Sequence, residues 1–514
     1  MNATAIDNAT PGGDLADLLD WLRRFEKDHG RALRVLHVGN IANNGYLNVK
    51  FLRSFGVDAD VVSRDYYHVM AVPEWEELEI NLDYGDDNYP VFNHADLAGY
   101  VRPRWFISGS LSECVRAMGV DSPGPKTGEV SQHWSVPFRT KVSAFAVSRI
   151  GGKVGTAIKY LFDDPRLFVE IVSEKLAIRT SRKNSPSPEA LFATSAFDRA
   201  FPERLDRLTE SEVEFYCSLT PYFRKMFEKY DIVQCYATEP IHAYLAGNKP
   251  YVAFEHGTLR DFTLADNSLS RLNALAYNQA KHCFITNGDC LEYANRIGIS
   301  RFSPIPHPID LKQHRYDTSE RTKKIRRELD AEVVLFCPVR HDFAIKGTDI
   351  HLHALPIIKA LTKKSVRLVL IGWGKQVDES RRILEKYGCG DDVVWKRPMS
   401  RPTMINYIRA SDVVLDQMAL PHFGSTAPQC LAAGVPVISS YVATSTDWMF
   451  AEPAPILPAF TAEDVARAVL TALDKEWLCS YQEAARLWMD KFHSPERIVL
   501  EHLKVYQKVL TNDA

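Results

Sequence analysis

The sequence predicts an α/β protein of two consecutive doubly wound parallel-sheet domains, Rossmann-like in build, facing a central cleft, with a largely helical insertion in the first. Three observations predict it. Short apolar runs without polar alternation recur, as strands buried on both faces of a parallel sheet do. Loops and helical segments alternate with these runs, once over about 31–310 and again over about 311–475. The 514 residues exceed what one core holds, and a 46% hydrophobic content suffices for two.

The elements follow in chain order. Residues 1–30 form an N-terminal helical extension, because "DLADLLDWLRRFEKDHG" has helical spacing and stops at Gly30. "LRVLHVG" (33–39) reads as a buried strand, "NIANNGY" as a Gly/Asn loop, "LNVKFLRSFG" (47–56) as a helix and "DADVVS" (58–63) as the next strand. The rhythm breaks over about 65–225, acidic and aromatic at 74–92 and basic further on, which is the insertion. It returns in "YDIVQCY", "KPYVAFEHG", "KHCFITNG" and "SPIPHPID". The second series comprises "EVVLFCPVRH", "VRLVLIGWG", "DVVWKR", "SDVVLDQ" and "GVPVISS", with helices at 377–388 and 403–410 between. Residues 476–514 read as helices packing back on the first domain.

Composition excludes several classes. A net charge of −3 gives no global attraction to nucleic acid. The nine cysteines include no C-x-x-C pair, which favours reduced thiols over a disulfide frame or zinc site. The first residues show no basic-then-apolar export pattern, and no run of 18 apolar residues occurs, so the expected location is the cytoplasm.

Chemistry concentrates at strand ends. In "PHFGSTAPQC", Gly424, Ser425, Thr426 and Ala427 open a helix and can offer unpaired N–H groups to an anion. "PVRHDFAIKGTD" places Arg340 and Lys346 after the first strand of the second series, two cations close to one strand end. The motif order resembles the GT-B glycosyltransferases, specifically the family-4 type of retaining nucleotide-sugar transferases, over 30–65 and 230–475. That family carries an Arg and then a Lys-Gly where Arg340 and Lys346 stand. Its E-x7-E segment corresponds to 421–429, with Phe423 and Gly424 kept but Pro421 and Gln429 in place of the two carboxylates. The resemblance implies that His422 replaces the first Glu at the donor sugar and that Gln429 meets a ribose hydroxyl. It implies that Asn44 and Gly45 of the first loop approach the donor phosphates. His256, after "VAFE", then lies at the donor sugar, and Arg397, Pro398 and Met399 at the base. Trp373 is a stacking residue or part of the core.

The expected reaction is transfer of a hexose-type unit from a UDP- or GDP-sugar to a saccharide or other hydroxyl acceptor, in glycan or surface polysaccharide assembly. Retention and independence of metal are expected, with His256, Arg340 and Lys346 catalytic and no cofactor. No Asp-x-Asp triplet closes a strand to hold a metal. An inverting transferase, with Glu255, His256 or an acid of 74–96 as base, and a non-catalytic sugar-nucleotide binder are the alternatives. Residues 139–183 carry ten Lys/Arg against four acids, interleaved with apolar residues. They are either a helix with a solvated basic face or an interfacial helix meeting the inner face of the membrane, in which case the acceptor is lipid-linked.

Overall fold

The computed structural model describes residue 6 and residues 12–64, 68–80, 99–119, 185–315 and 319–511. The basic stretch 139–183 lies outside the described residues. Two all-parallel sheets dominate. The first comprises β1 (Arg34–Val38), β2 (Asp58–Arg64), β3 (Phe106–Gly109), β4 (Ile232–Tyr236), β5 (Tyr251–Phe254), β6 (His282–Ile285) and β7 (Phe302–Pro304), in the order β3-β2-β1-β4-β5-β6-β7. The second comprises β8 (Val333–Cys337), β9 (Val366–Ile371), β10 (Val393–Lys396), β11 (Val413–Leu415), β12 (Val437–Ser439) and β13 (Leu457–Pro458), in the order β10-β9-β8-β11-β12-β13. The strand order reverses between β1 and β4 and between β8 and β11. Crevices for ligands open at such reversals, beyond the carboxyl ends of the strands.

Successive side chains of a strand serve opposite cores. In β1, Leu36 and Val38 join Val62, Val233 and Cys235 under one helical layer, while Val35 joins Val61, Ile232, Phe254 and Phe284 under the other. In β8, Val334 and Phe336 face one layer and Val333, Leu335 and Cys337 the other. Both faces are covered, which is why the strands read as unbroken apolar runs.

The stretch 65–225 contains more than a helical insertion. β3 lies within it and pairs with β2, so this part belongs to the first sheet. Its four residues, two of them Ser and Gly, are too few and too polar to show as an apolar run. Helices Pro188–Ala200 and Glu210–Phe227 cover that sheet through Phe197, Val213, Phe223 and Phe227.

Only the second of the two C-terminal helices packs back on the first domain. Lys475–Phe492 stays with the second, where Tyr481, Trp488 and Phe492 sit in the same core as Cys430 and Leu431. Pro495–Thr511 crosses over and buries Ile498, Val499, Leu503 and Tyr506 beside Val35 and Val252. A buried polar network fixes it there. The Tyr506 hydroxyl donates to Gln234 Oε1 at 2.7 Å, the Gln234 amide donates to the Tyr236 hydroxyl at 2.8 Å, and that hydroxyl lies 2.8 Å from His37 Nδ1. At the other end of the chain, helix Gly12–His29 packs on the first domain through Leu15, Leu18 and Leu22, while Ile6 bridges to Phe450 of the second. All nine cysteines are free, and only Cys479 is exposed.

Several imidazoles are locked inside this frame. Burial holds His37 and His307 well below the ordinary histidine range, His502 at about 4 and His493 at about 3. They stay neutral in the folded chain, whereas the unfolded chain protonates its imidazoles near 6.5. Between about pH 6.5 and 4 the unfolded state therefore binds more protons, and each such group lowers stability by roughly 1.4 kcal/mol per pH unit. Urea midpoints at pH 7.5, 6.0 and 5.0 should fall steeply below 6.5. A flat profile over that range would contradict the neutral buried histidines.

Candidate functional site

The loops after β1, β5 and β6 of the first domain meet those after β8, β11 and β12 of the second. After β1, Gly39 takes φ +95°, and Ala42 and Asn43 are left-handed at +48° and +57°. Asn40 Nδ2 donates to Asn43 Oδ1 at 2.9 Å and to the Ala71 carbonyl at 2.8 Å. Gly45 packs so closely that a Cβ would lie 2.5 Å from the Gly39 carbonyl oxygen. This tight weave presents Asn44, whose Nδ2 lies 3.4 Å from His256 Nδ1.

His256 follows β5, beside the buried carboxylate of Glu255. Glu255 accepts from the backbone N–H groups of Gly257, Thr286 and Asn287 and from the Cys290 thiol at 3.1 Å, so it organises the loops and faces no cleft. The His256 ring meets His307 edge to face at 5.7 Å. Burial lowers His256 to about 4, and the charges of Lys346 and Arg260 push the same way. Across the cleft, burial also lowers the Lys346 ammonium, opposed by Asp416 and reinforced by Arg340 and Arg260. Lys346 Nζ donates to Gln417 Oε1 at 2.7 Å. Arg340, half-exposed, lies 3.8 Å from Asp342 and helps burial hold His68 at about 4. Basic groups of both domains therefore converge on one space.

Two carboxylates of the first domain reach the second. Asp289, held by Arg260 at 2.7 Å, lies 3.3 Å from His422 Nδ1. Glu76, fully buried, lies 3.3 Å from Arg401 Nε, and Arg401 Nη1 donates to Gln429 Oε1 at 2.8 Å. Burial pushes the Glu76 carboxyl up, and the Arg401 guanidinium opposes it.

The structure thus brings Asn44, His256, Lys346, Arg340 and His422 to the cleft. Gly424, Ser425 and Thr426 are partly accessible, and helix Thr426–Ala432 begins without a side-chain cap. Other expected site residues have structural partners. Phe423 is buried among Tyr441, Phe450 and Trp488. Ala427 and Met399 are core residues, Pro398 is buried, and Arg397 is exposed beyond β10. The Trp373 indole donates to the Pro338 carbonyl at 3.3 Å and packs on the core. Both halves of the Gln429 amide are engaged, since its Nε2 donates to the Ser425 carbonyl at 2.7 Å. Sequence reasoning missed Glu76, Arg401, Asp289 and Gln417. Only the acidic run at 74–79 marked the first of these, and nothing local marked its partner. Among the described residues, no group of three or more His, Cys, Asp or Glu is placed to hold a metal ion.

Two facing doubly wound domains, joined by a last helix that returns to the first, define the GT-B class of fold. Residues 319–486 match the family described as glycosyl transferases group 1. An uncharacterized glycosyltransferase of Bacillus subtilis, YqgM, is 23% identical over 171 residues, which is 33% of this chain and 47% of the relative. The match therefore spans about half the length of that curated relative. Among solved structures, a glycosyltransferase from Rickettsia africae superposes with a TM-score of 0.50 at 13% identity, covering 93% of this chain and 99% of that one. Anabaena HepE, solved in complex with UDP, gives 0.49 at 14% identity over 63% of this chain and 97% of that one.

The turn carrying Lys346 leaves no room for a side chain at its next residue. Gly347 has φ +61°, and a Cβ there would lie 2.9 Å from Met418 Cβ, while the Met418 N–H donates to the Lys346 carbonyl at 2.7 Å. Gly347→Ala should cost roughly 1–3 kcal/mol, read as a lower urea midpoint. An unchanged midpoint would mean that this turn is not held against β11.

Proposed function

We propose that the protein is a glycosyltransferase that moves a sugar from a nucleoside diphosphate donor to a hydroxyl of a saccharide acceptor, with retention and without an essential metal. One observation carries the reading. Lys346 and Arg340 of the second domain converge with Arg260 and His256 of the first, at the carboxyl ends of both sheets. Partly desolvated cations crowding one another need an anion, and a departing nucleoside diphosphate is an anion whose charge grows as the glycosidic bond breaks. The group 1 match over 319–486 supports the same class of chemistry.

In this reading Lys346 and Arg340 stabilise the β-phosphate as it leaves, and the N–H groups of 424–427 add to them. His256, neutral at physiological pH, offers its ring to a sugar hydroxyl and lends no second positive charge to an oxocarbenium-like transition state. Retention is supported by the acids. Glu255 is enclosed, Glu74 pairs with Arg102, Glu77 with Lys50 and Glu79 with Asn406, so none of these described acids is placed as a base for an acceptor. Lys346 favours an enzyme over a mere binder, because burying an ammonium destabilises the fold and fixed charge helps most when charge develops. No helix among the described residues is long and apolar enough to cross a membrane.

A thermal-shift panel of UDP-, GDP- and ADP-sugars should raise the melting temperature with one nucleotide class, because a ligand bound only by the folded state stabilises it. With that donor, Arg340→Ala and Lys346→Ala should each lower kcat on the order of a hundredfold or more while weakening donor binding much less. Normal turnover in both variants would refute the cation clamp.

A further inference from the structure

The first domain reaches the donor-side segment of the second through an unbroken chain of contacts. Helix Pro73–Glu77 lies against helix Arg401–Ala410. Around the Glu76–Arg401 pair, Glu79 accepts from Asn406 Nδ2 at 2.9 Å and the Ile80 N–H donates to Ser400 Oγ at 3.3 Å. From Arg401 the chain runs through the Gln429 amide to the Ser425 carbonyl. Glu76, Arg401 and Gln429 are all buried, so the relay is screened from water.

The chemistry of residue 429 is decisive. Its oxygen accepts from a guanidinium and its nitrogen donates to a carbonyl, which an amide does and a carboxylate does not. A glutamate there would turn a lone pair toward the Ser425 oxygen and set a second anion against Arg401, which Glu76 already neutralises. Arg401 in turn needs one carboxylate, because a buried guanidinium without an anion is strongly unfavourable. The charge absent from position 429 is therefore supplied by the other domain.

We infer that Glu76, Arg401 and Gln429 act as one positioning unit, in which the first domain supplies the carboxylate that sets the 424–427 loop, so that the donor site is complete only when the two domains are closed. The inference rests on the reading of 424–427 as a donor-contacting loop. Its consequence is that nucleotide binding and domain closure are coupled through one buried ion pair.

The test relocates the charge. Affinities for UDP, GDP and ADP are measured by calorimetry on the full chain for the wild type, Glu76→Gln, Gln429→Glu and the double variant, with melting temperatures alongside. Each single variant unbalances Arg401 and should weaken nucleotide binding roughly tenfold or more, the scale of a hydrogen bond to a charged group. The double variant restores one carboxylate to Arg401 from within the second domain but keeps a lone pair against the Ser425 carbonyl, so it should bind more tightly than either single variant while staying weaker than wild type, a non-additivity that independent sites do not show. Arg401→Lys, which keeps the charge but loses the fork that reaches both partners, should bind as weakly as Glu76→Gln and serves if the latter does not fold. A purely structural bridge would lower the melting temperature of Glu76→Gln and leave nucleotide affinity unchanged, which overturns the inference. So does a double variant that binds no better than the singles. If the wild type binds no nucleoside diphosphate, ADP included, the donor-site reading fails and this inference falls with it; if the wild type binds one and Glu76→Gln binds it equally well, only the inference falls.

Discussion

The return of the last helix to the first sheet is the constraint on which the cleft depends. Tyr506, Gln234, Tyr236 and His37 form a buried polar network that apolar packing alone would not specify. Fully paired, such a network fixes one register, because a slipped helix would strand its hydroxyl and amide groups without water. Helix Pro495–Thr511 is therefore locked to the first domain while Lys475–Phe492 is locked to the second. The chain therefore passes between the domains near 305–310 and near 493–495, and again between Ile6 and helix Gly12–His29.

Within that geometry the charges explain one another. Arg260 is held by Asp289, and Asp289 also faces His422 of the second domain. Lys346 leans on Gln417, whose amide in turn donates to the His422 carbonyl at 2.7 Å. His422 thus touches the fixed carboxylate of one domain and, through its backbone, the lysine of the other. Trp448 adds a direct tie by donating its indole N–H to the Gly288 carbonyl at 3.0 Å. The basic groups of the two domains would repel if left alone at this distance. The contacts with Asp289 and the Gly288 carbonyl tie the two sets of loops together across the cleft.

The sheets were legible because each strand is buried on both faces, which leaves an unbroken apolar run such as Val-Val-Leu-Phe-Cys at β8. β3 and β13, four and two residues long, fell below what such a pattern can show. Arg340, Lys346 and His256 were nominated by the resemblance together with their places after strand ends, and the structure sets all three where the loops of the two domains meet. Phe423 and Gln429 were nominated by the same logic, yet the structure engages both in internal contacts. Local sequence reports that a side chain stands near a site, and its direction is set by partners on other elements, as Arg401 sets Gln429 and Trp488 packs Phe423. Glu76 could not be singled out from the acidic run around it, since its meaning lies in Arg401, which is 325 positions distant.

The pairing of Glu76 with Arg401 also bears on how a missing carboxylate should be read. A segment with Pro421 and Gln429 where the family-4 resemblance leads one to expect acids suggests, taken alone, a degenerate site. Yet Asp289 and Glu76 of the first domain bring carboxylates to both ends of that segment, one facing His422 and the other facing Arg401 beside Gln429. Carboxylates therefore stand beside this segment in space although none stands within it. Carboxylates carried by the second domain would persist when the cleft opens, whereas these are withdrawn with the first domain. Opening would then separate Arg401 from its carboxylate and let water reach both, so the order that the ion pair imposes on Gln429 and the Ser425 carbonyl belongs to the closed arrangement alone.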